Sequence, residues 1–317
     1  MTTFTAISQD QAGGPEVLRE VQVPRPKPGP TDVLVKVHAA GINPTDWKTR
    51  QLNFWGFELP FTTGWDVSGV VVEAGFGVTA HRVGDEVLGM LAYPHGHGAY
   101  AEYVVAPSRT FVAKPANVDH VHAAGLPLAG LTAWQALVDA ADVQPGQRVL
   151  IHAAAGGVGH LAVQIAKLKG AHVIGTASAA KHDFLRELGA DEVIDYRSTD
   201  FTEVLSDVDV VLDTLGEDIG ARSLSVLRRG GVLVTILPGS ISKESYAKAA
   251  ELGIRAESAL VEVDHTTMRE LARLLGDGSL KVHVDQTFPL SEVAKAHELG
   301  ETGRTTGKLV LTVDQAE

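Results

Sequence analysis

The sequence predicts an α/β protein of two domains, a β-rich domain and a domain built on a doubly wound, six-stranded parallel sheet. Residues 1–124 carry short β-rich runs separated by many glycines and prolines, which is typical of irregular β structure. From about residue 125 onward, six apolar runs alternate with helical segments, which is typical of βαβ units. The length of 317 residues also suggests two domains, at ~150 residues per domain.

The β-rich domain is predicted to consist of residues 1–124 together with the tail, residues 264–317. Residues 33–38 alternate apolar and polar side chains as a half-buried strand does. Residues 67–72 and 101–105 are further β-rich runs. In the tail we expect helices at 268–275 and 290–299, a strand near 282–284 and a closing strand at 308–313. The closing strand is expected to return to the β-rich domain.

Residues 125–263 form the second predicted domain. Its six strands are expected at residues 149–153, 172–177, 192–196, 208–214, 232–237 and 257–263. Helices are expected between them at residues 159–169, 181–188 and 222–229. Six parallel strands are the number found in the doubly wound fold that binds dinucleotides.

Composition excludes several classes of function. Lys and Arg number 27 against 39 Asp and Glu, a formal net charge of −12, which argues against nucleic acid or an anionic membrane as a partner. The chain has no cysteine, so disulfides, Cys-ligated metals and a Cys nucleophile are excluded. No apolar run approaches the ~20 residues that span a bilayer, and no signal peptide is evident. A cytoplasmic location is expected.

The sharpest local signal is a glycine turn between an apolar strand and a helix. Residues 153–159 read AAAGGVG, so Gly156, Gly157, Val158 and Gly159 lead into the helix. Glycines let the backbone approach a pyrophosphate, and a helix N-terminus supplies free N–H groups. The first glycine of the usual fingerprint is replaced by Ala154. The strand before and the helix after the turn favour a dinucleotide site over an ordinary tight turn.

The end of the second strand of this domain indicates which dinucleotide binds. NAD sites usually place Asp or Glu there to hold the ribose 2′-hydroxyl, and this chain has no carboxylate in residues 173–181. Ser178 can instead hydrogen-bond a 2′-phosphate, and Lys181 can neutralise it. The alternative for Lys181 is a solvated lysine in a first helical turn. The sequence therefore favours NADPH over NADH as the cofactor.

Many motifs together resemble the zinc-independent branch of the medium-chain dehydrogenase/reductase superfamily, the quinone oxidoreductase and zeta-crystallin group with its alkenal and enone reductases. The resemblance covers nearly the whole chain. The motifs are residues 41–48 (GINPTDWK), 64–71 (GWDVSGVV), 83–89 (VGDEVLG), 98–103 (GAYAEY), 131–137 (LTAWQAL), 153–159 (AAAGGVG), 189–196 (GADEVIDY), 296–299 (AHEL) and 303–311 (GRTTGKLVL).

This resemblance implies a GroES-like β domain, split between the N-terminus and the tail, and a Rossmann domain between them, with the active site in the cleft. Zinc-dependent relatives bind catalytic zinc through a Cys at the position of Asn43 and through a Gly-His-Glu motif. That motif reads Gly64-Trp65-Asp66 here, so the ligand types are missing and no metal is expected.

The resemblance also implies cofactor contacts. Asn43 is expected near the nicotinamide ribose, Thr132 near the nicotinamide, and the glycine turn at the pyrophosphate. Ser178, Lys181 and Tyr196 would surround the 2′-phosphate, and the alternative for Tyr196 is an aromatic residue that fills the end of a strand. Lys308 can reach the cofactor, or can be a solvated lysine at the start of a strand.

Without a metal, quinones and α,β-unsaturated carbonyls are the expected hydride acceptors, because charge spreads onto their carbonyl oxygen and a few donors can stabilise it. The candidate catalytic donors are Lys48 and the amide of Asn43. The alternative for Lys48 is an ion pair with Asp46 or Asp66 that holds the loop. Both acids are expected to be structural, because short acids in such turns cap backbone N–H groups.

Aromatic residues of the β-rich domain can line an apolar slot for the acceptor. Two of five are expected to do so, and the five are Trp47, Phe54, Trp55, Trp65 and Tyr93. His95 and His97 suggest a metal site only weakly, because no third ligand accompanies them.

Two other functions stay open: a dedicated enoyl reductase for a thioester or biosynthetic intermediate, and an NADPH-binding, crystallin-like protein without turnover. The Tyr-x-x-x-Lys pair of short-chain dehydrogenases is missing. A homodimer is expected, since symmetric oligomers are common and the resemblance favours a dimer.

Overall fold

The computed structural model describes residues 3–216 and 218–313, and the chain divides into two compact units. Unit 1 contains the described residues up to Leu131 and from Glu262 onward, and unit 2 is Thr132–Val261. The first division falls later than residue 124. One reason is that the backbone N–H of Leu128 donates to Oδ1 of Asp66 (2.7 Å), which ties this segment to unit 1.

Unit 1 is built on two β-sheets. Its strands are β1 (Thr3–Ser8), β2 (Arg19–Pro24), β3 (Asp32–Ile42), β4 (Asp66–Ala74), β5 (Glu86–Met90), β6 (Tyr103–Pro107), β7 (Phe111–Ala113) and, after unit 2, β14 (Val284–Pro289) and β15 (Lys308–Thr312). Strands β1 and β2 pair as a separate antiparallel hairpin. The remaining strands form one sheet in the order β14-β15-β3-β4-β5-β7, with β6 pairing with β3.

The tail strand β15 closes the larger sheet. It pairs antiparallel with β3, with Leu309 opposite Ile42, and parallel with β14. The predicted return of this strand to the β-rich domain is confirmed. Its register sets Lys308 beside the end of β3, where α1 begins.

Helices cover parts of unit 1. They are α1 (Pro44–Leu52), α2 (His120–Ala124), α9 (His265–Gly276) and α10 (Val293–Glu301), with α3 (Pro127–Trp134) containing the junction to unit 2. Short 3-10 turns lie at Pro15–Val17, Ser108–Thr110 and Leu290–Glu292, and a π-helical turn at Gln135–Ala140 follows α3. Both helices predicted in the tail are therefore present.

Unit 2 is built on a parallel sheet of six strands, as predicted. Its strands are β8 (Arg148–Ile151), β9 (His172–Ala177), β10 (Glu192–Asp195), β11 (Val208–Asp213), β12 (Leu227–Thr235) and β13 (Arg255–Ser258). They lie in the order β10-β9-β8-β11-β12-β13. The order reverses between β8 and β11, which is the switch point where such sheets bind ligands.

The helices of unit 2 show one wrong prediction. They are α4 (Gly159–Leu168), α5 (His182–Glu187), α6 (Phe201–Val204), α7 (Ile219–Ser223) and α8 (Lys243–Leu252), with a 3-10 turn at Ala179–Lys181. The helix predicted at residues 222–229 is wrong, because only its first two residues lie in a helix. Helix α7 ends at Ser223, and β12 begins at Leu227, four residues before Gly231. The exposed Arg228 and Arg229 belong to the start of a strand rather than to a helix face.

The core of unit 2 explains why its strands read as apolar runs. Leu150, Ile174, Val211 and Leu233 come from four neighbouring strands and are all buried in one cluster. A parallel sheet covered by helices buries both of its faces, so its strands do not alternate in polarity. Within residues 3–216 and 218–313, no helix is long and apolar enough to cross a membrane.

Candidate functional site

Asn43 stands where β3 ends and α1 begins. Pro44 occupies the first helical position, and Oδ2 of Asp46 accepts a hydrogen bond from the backbone N–H of Asn43 (2.6 Å). A bond between an acid at the third helical position and the backbone N–H before the helix is typical of a helix start. It explains why a short acid three residues after Asn43 is structural, as the sequence predicted.

A buried ammonium group contacts the Asn43 side chain. Lys308 is only 2% exposed, and its Nζ donates to Oδ1 of Asn43 and to the carbonyl oxygen of Ile42 (2.8 Å). Oδ2 of Asp66 lies 3.6 Å from the same Nζ and accepts a hydrogen bond from Nδ2 of Asn43 (2.8 Å). The alternative of a solvated lysine is therefore wrong. We call Lys308, Asn43 and Asp66 together the buried triad.

Charge balance holds the triad together. Burial raises the pKa of Asp66, and the Lys308 ammonium together with the Asn43 amide opposes that rise. Burial likewise lowers the pKa of Lys308, which the carboxylates of Asp66 and Asp46 oppose. Each charge is tolerated inside the protein because the other is present.

The triad leaves no room for a side chain at position 41. A Cβ on Gly41 would lie 2.7 Å from Oδ2 of Asp66 and would collide with the Ala124 carbonyl oxygen. The glycine of the GINPTDWK motif is therefore required by close packing rather than by its backbone conformation.

A directed chain of hydrogen bonds supports Asp46 from the other side. Arginine can only donate, so Nδ1 of His297 accepts from Arg50 (3.2 Å) and Nε2 carries the proton. That proton points to the hydroxyl oxygen of Tyr100 (3.3 Å), and Tyr100 donates to Oδ2 of Asp46 (2.8 Å). Arg50 also donates to Oε1 of Glu301 (2.5 Å).

The chain of donors opposes the effect of burial on Asp46. Burial raises the pKa of Asp46 to about 7, although the bonds from Asn43 and Tyr100 lower it. Burial lowers the pKa of His297 to about 3, and the Arg50 guanidinium adds to this. His297 is therefore neutral, as the donor direction requires.

Lys48 is exposed on α1. The alternative of an ion pair with Asp46 or Asp66 is wrong, because both acids are buried and Asp66 is instead paired with Lys308. The side chain of Lys48 makes no ion pair with any part of the chain that the structure describes. It is therefore available to a ligand, and its catalytic role stays a prediction.

The five aromatic residues differ in their surroundings, although the rings of Trp65 and Tyr93 are in contact, with centroids 5.2 Å apart. Trp65 is fully buried and donates to the carbonyl oxygen of Pro94 (3.2 Å), and Trp47 packs against Gly300 and His297. Both belong to the packing of unit 1. The other three form a connected edge, with ring centroids 4.7 Å apart for Phe54–Trp55 and 5.6 Å for Trp55–Tyr93.

That edge is partly open to solvent. Phe54 is 48% exposed, and the neighbouring Leu52 and Leu59 are also exposed. The hydroxyl of Tyr93 is held 3.0 Å from Oγ1 of Thr45 at the start of α1. We call Phe54, Trp55 and Tyr93 the aromatic edge.

Of the two histidines in the loop before β6, His97 contributes to packing, whereas His95 is exposed. Nδ1 of His97 lies 2.7 Å from the Thr62 carbonyl oxygen, and its ring contacts Phe57 and Phe61. No group of three or more His, Cys, Asp or Glu side chains among residues 3–216 and 218–313 is arranged to hold a metal ion.

The glycine turn of unit 2 lies between β8 and α4, as its spacing predicts. No side chain caps the start of α4, so the first N–H groups of the helix have no capping partner from a side chain. A Cβ on Gly159 would lie 2.7 Å from Cα of Ala154 and would collide with the Ala153 carbonyl oxygen. Gly156, Gly157 and Val158 form the rest of the turn, in which the backbone N–H of Gly156 donates to the Ala153 carbonyl oxygen (2.8 Å).

His152 supports the base of this turn. It is buried, with Nε2 3.0 Å from Oγ of Ser223 and Nδ1 3.3 Å from Oγ1 of Thr176. Burial lowers the pKa of His152 to about 4, and the charge of Arg222 adds to this. The histidine is therefore neutral at neutral pH.

The three residues predicted at the 2′-phosphate follow the ends of adjacent strands. Ala177 of β9 pairs with Asp195 of β10, so Ser178 and Tyr196 follow directly on neighbouring strands, and Lys181 ends the 3-10 turn after Ser178. Tyr196 is 60% exposed, so the alternative that it fills the end of a strand is wrong.

Sequence reasoning missed one cation at this edge. The guanidinium of Arg197 lies over the ring of Tyr196, 5.8 Å from its centroid. Thr132, predicted near the nicotinamide, is buried within α3 at the first position of unit 2. Tyr100, His297 and Arg50 were also missed, and the only signal for the first two was their presence in the GAYAEY and AHEL motifs.

Two family profiles match the chain. The alcohol dehydrogenase GroES-like domain matches residues 29–116, and the profile described as zinc-binding dehydrogenase matches residues 188–311.

Relatives with assigned names align over most of the chain. The chloroplast envelope quinone oxidoreductase homolog of Arabidopsis thaliana is 35% identical, covering 94% of this chain and 95% of that protein. The NADPH-dependent alkenal/one oxidoreductase of the same plant is 35% identical, covering 94% and 77%.

Solved structures agree with these matches. The quinone oxidoreductase from Coxiella burnetii superposes with a TM-score of 0.94 at 40% identity, covering 99% of this chain and all of that one. The Escherichia coli quinone oxidoreductase complexed with NADPH gives a TM-score of 0.89 at 31% identity, covering 97% and 99%.

The neutral His152 predicts an acid-sensitive fold. The folded pKa of about 4 lies below the ordinary value of 6.5, so the unfolded chain binds more protons between these values. Stability is therefore present above pH 6.5 and is lost as the pH falls toward 4. We expect His152 to account for about 2 kcal/mol of the loss in unfolding free energy between pH 7.5 and 5.0.

Urea unfolding of the wild type and of His152→Asn at the two pH values measures this contribution. The variant should show a smaller difference between the two pH values than the wild type. An equal or larger difference would show that His152 does not resist protonation in the fold.

Proposed function

Because the chain belongs to the quinone oxidoreductase group of the medium-chain dehydrogenase/reductase family, we propose that it transfers hydride from NADPH to quinones or α,β-unsaturated carbonyls. The single observation that carries the proposal is the 94% coverage by relatives named for these activities. The relative from tomato named 2-methylene-furan-3-one reductase, at 34% identity, adds a conjugated enone to these names.

The cofactor end of the site is proposed to lie in unit 2. The uncapped start of α4 and the glycine turn that precedes it fit a pyrophosphate. Ser178, Lys181 and Tyr196 are proposed to hold the 2′-phosphate, and Arg197 adds a positive charge beside Tyr196. Thr132 is proposed to contact the nicotinamide.

The reaction end is proposed to lie in unit 1. NADPH, when bound, supplies a hydride, and the acceptor then gains negative charge on its carbonyl oxygen. The second hydrogen on Nδ2 of Asn43 and the exposed ammonium of Lys48 are the donors that we assign to this charge. The aromatic edge offers an apolar surface for a flat acceptor.

The side chains of Asn43 and Trp65, at positions where zinc-dependent relatives bind zinc, fit hydride transfer without a metal. Asn43 presents a carboxamide and Trp65 an indole, and neither is an ordinary zinc ligand. In their place unit 1 has a fixed ammonium, Lys308, whose charge is balanced by Asp66.

The location and assembly of the protein are also proposals. We propose a homodimer in the cytoplasm, as the sequence predicts. Among the relatives, several are named as chloroplastic and others as mitochondrial, so location varies among them. Light scattering coupled to gel filtration measures the mass, which is expected to be twice the 33.5 kDa of one chain.

Turnover tests the proposed function. We expect the purified protein to oxidise NADPH in the presence of a quinone or an enone, and a chelator to leave the rate unchanged. An enoyl thioester in the same panel tests for a dedicated enoyl reductase. Loss of turnover with the chelator would contradict the assigned donors, and NADPH binding without any turnover would indicate a binding protein.

Lys181→Ala is expected to weaken NADPH selectively. Loss of a cation beside a phosphate should raise KM for NADPH about tenfold or more and change KM for NADH little. Lys243→Ala, at an exposed lysine on α8 of the same unit, is the matched control. Equal changes for both cofactors would show that Lys181 does not recognise the phosphate.

Lys48→Ala tests the proposed hydrogen-bond donor to the acceptor. We expect kcat/KM on an enone to fall about tenfold or more, since one donor to the developing charge is lost. Because the side chain is exposed, the variant should keep the thermal stability of the wild type. An unchanged kcat/KM would remove Lys48 from the mechanism.

A further inference from the structure

We propose that Lys308 is a positioning residue, whose buried ammonium fixes the carboxamide of the buried Asn43 so that Nδ2 faces away from Lys308 as a hydrogen-bond donor. The proposal rests on the proposed function, because it takes Asn43 as the group that meets the reacting molecules. It replaces the expectation that Lys308 itself binds the cofactor.

The chemistry of the contacts determines which way the carboxamide points. An ammonium group has three hydrogens to donate and no lone pair, so the Asn43 atom that faces Lys308 has to be the oxygen. The nitrogen then faces the carboxylate of Asp66, to which it donates at 2.8 Å. A flipped carboxamide would place its NH₂ against an ammonium and its oxygen against a carboxylate.

One hydrogen of Nδ2 remains after the bond to Asp66. A primary amide carries two N–H hydrogens, and Asp66 takes one of them. The triad thus converts an amide that can either donate or accept into a fixed donor. A fixed donor suits an oxygen that becomes negative during hydride transfer, because it needs no reorientation as the charge develops.

The ammonium is directed at groups of its own unit. Its contacts are the Ile42 carbonyl oxygen, Oδ1 of Asn43 and the carboxylate of Asp66. Two of its hydrogen bonds go to protein oxygens, the Asp66 carboxylate lies 3.6 Å away, and the side chain is 2% exposed. A direct contact with the cofactor would require the ammonium to give up one of these partners.

Stability alone gives a weak reason for a buried ion pair. Removing both charges of such a pair, with the shape kept, often leaves stability unchanged or raised. The positioning role therefore predicts that removing both charges lowers the rate of the reaction at Asn43 much more than it lowers the stability of the fold.

A double-mutant cycle with Asn43 tests this role. The cycle consists of Lys308→Met, Asn43→Ala and the double variant. The quantities to measure are kcat on an enone and the equilibrium Kd of NADPH from fluorescence titration. If Lys308 acts through Asn43, each single variant should lower kcat about tenfold or more, and the double variant should stay within about twofold of Asn43→Ala. The Kd values should show the same lack of additivity.

Lys114→Met is the matched control. Lys114 is also a buried, ion-paired lysine of unit 1, but its partners are Glu86 and the carbonyl oxygens of Pro115 and Val118. Its substitution should leave kcat unchanged and should combine additively with Asn43→Ala.

The outcomes separate the proposals. Effects of Lys308→Met that add to those of Asn43→Ala, on kcat or on Kd, would overturn the positioning role and support a direct contact. If Lys308→Met does not fold, the double variant Lys308→Met with Asp66→Asn is used, because it removes both charges. Failure of this double variant to fold would also overturn the positioning role. Lack of turnover in the wild type refutes the proposed function, and the Kd cycle still decides the role of Lys308.

Discussion

The buried ammonium of Lys308 constrains the whole end of unit 1 in which it lies. A positive charge cannot remain in the interior without partners, so an acid and several oxygens must surround it. β15 therefore has to pair with β3 in the register that sets Leu309 opposite Ile42. Asp66 must start β4 beside them, and position 41 must be a glycine. The N-terminus of α1 is thus fixed by a charge carried on the last strand.

A second network constrains the same helix from α10. The donors of Arg50, His297 and Tyr100 all point toward Asp46, which holds the backbone N–H of Asn43. The buried triad thus fixes the carboxamide of Asn43, and the network that ends at Asp46 fixes its backbone N–H. Pre-organisation of this kind places the cost of ordering the site in folding rather than in the reaction.

The sequence predicts the fold of unit 2 well, because its signals are local. The glycine turn, the apolar runs and the helix that follows each depend on neighbouring residues, and the six-stranded parallel sheet is observed. The helix at residues 222–229 fails for the same reason. Its arginines suggest an exposed helix face, whereas pairing with β11 makes residues from Leu227 onward a strand, and this pairing is not visible locally.

The triad is harder to predict, because its members are distant in sequence. Nothing near position 308 distinguishes a buried lysine from a solvated one at a strand start, and its partner Asn43 is 265 residues away. The position of Lys48 beside Asp46 suggests an ion pair, but the capping geometry turns Asp46 inward. Local spacing predicts the start of the helix correctly. It predicts the wrong ion pair for Lys48, because tertiary contacts decide which charged side chains pair.

The two proposed ends of the site use positive charge in opposite ways. Arg197 is exposed beside Tyr196, so its charge is screened by salt, and substitution there changes the fold little. Lys308 is enclosed among oxygens, where screening is weak and reorientation is blocked. An exposed cation can therefore be substituted with little effect on the fold, while removal of the buried one leaves the Asp66 carboxylate without its counter-charge. Under the proposed function, cofactor preference depends on exposed charges that salt screens, and the orientation of the donor at Asn43 depends on a buried pair that salt screens little.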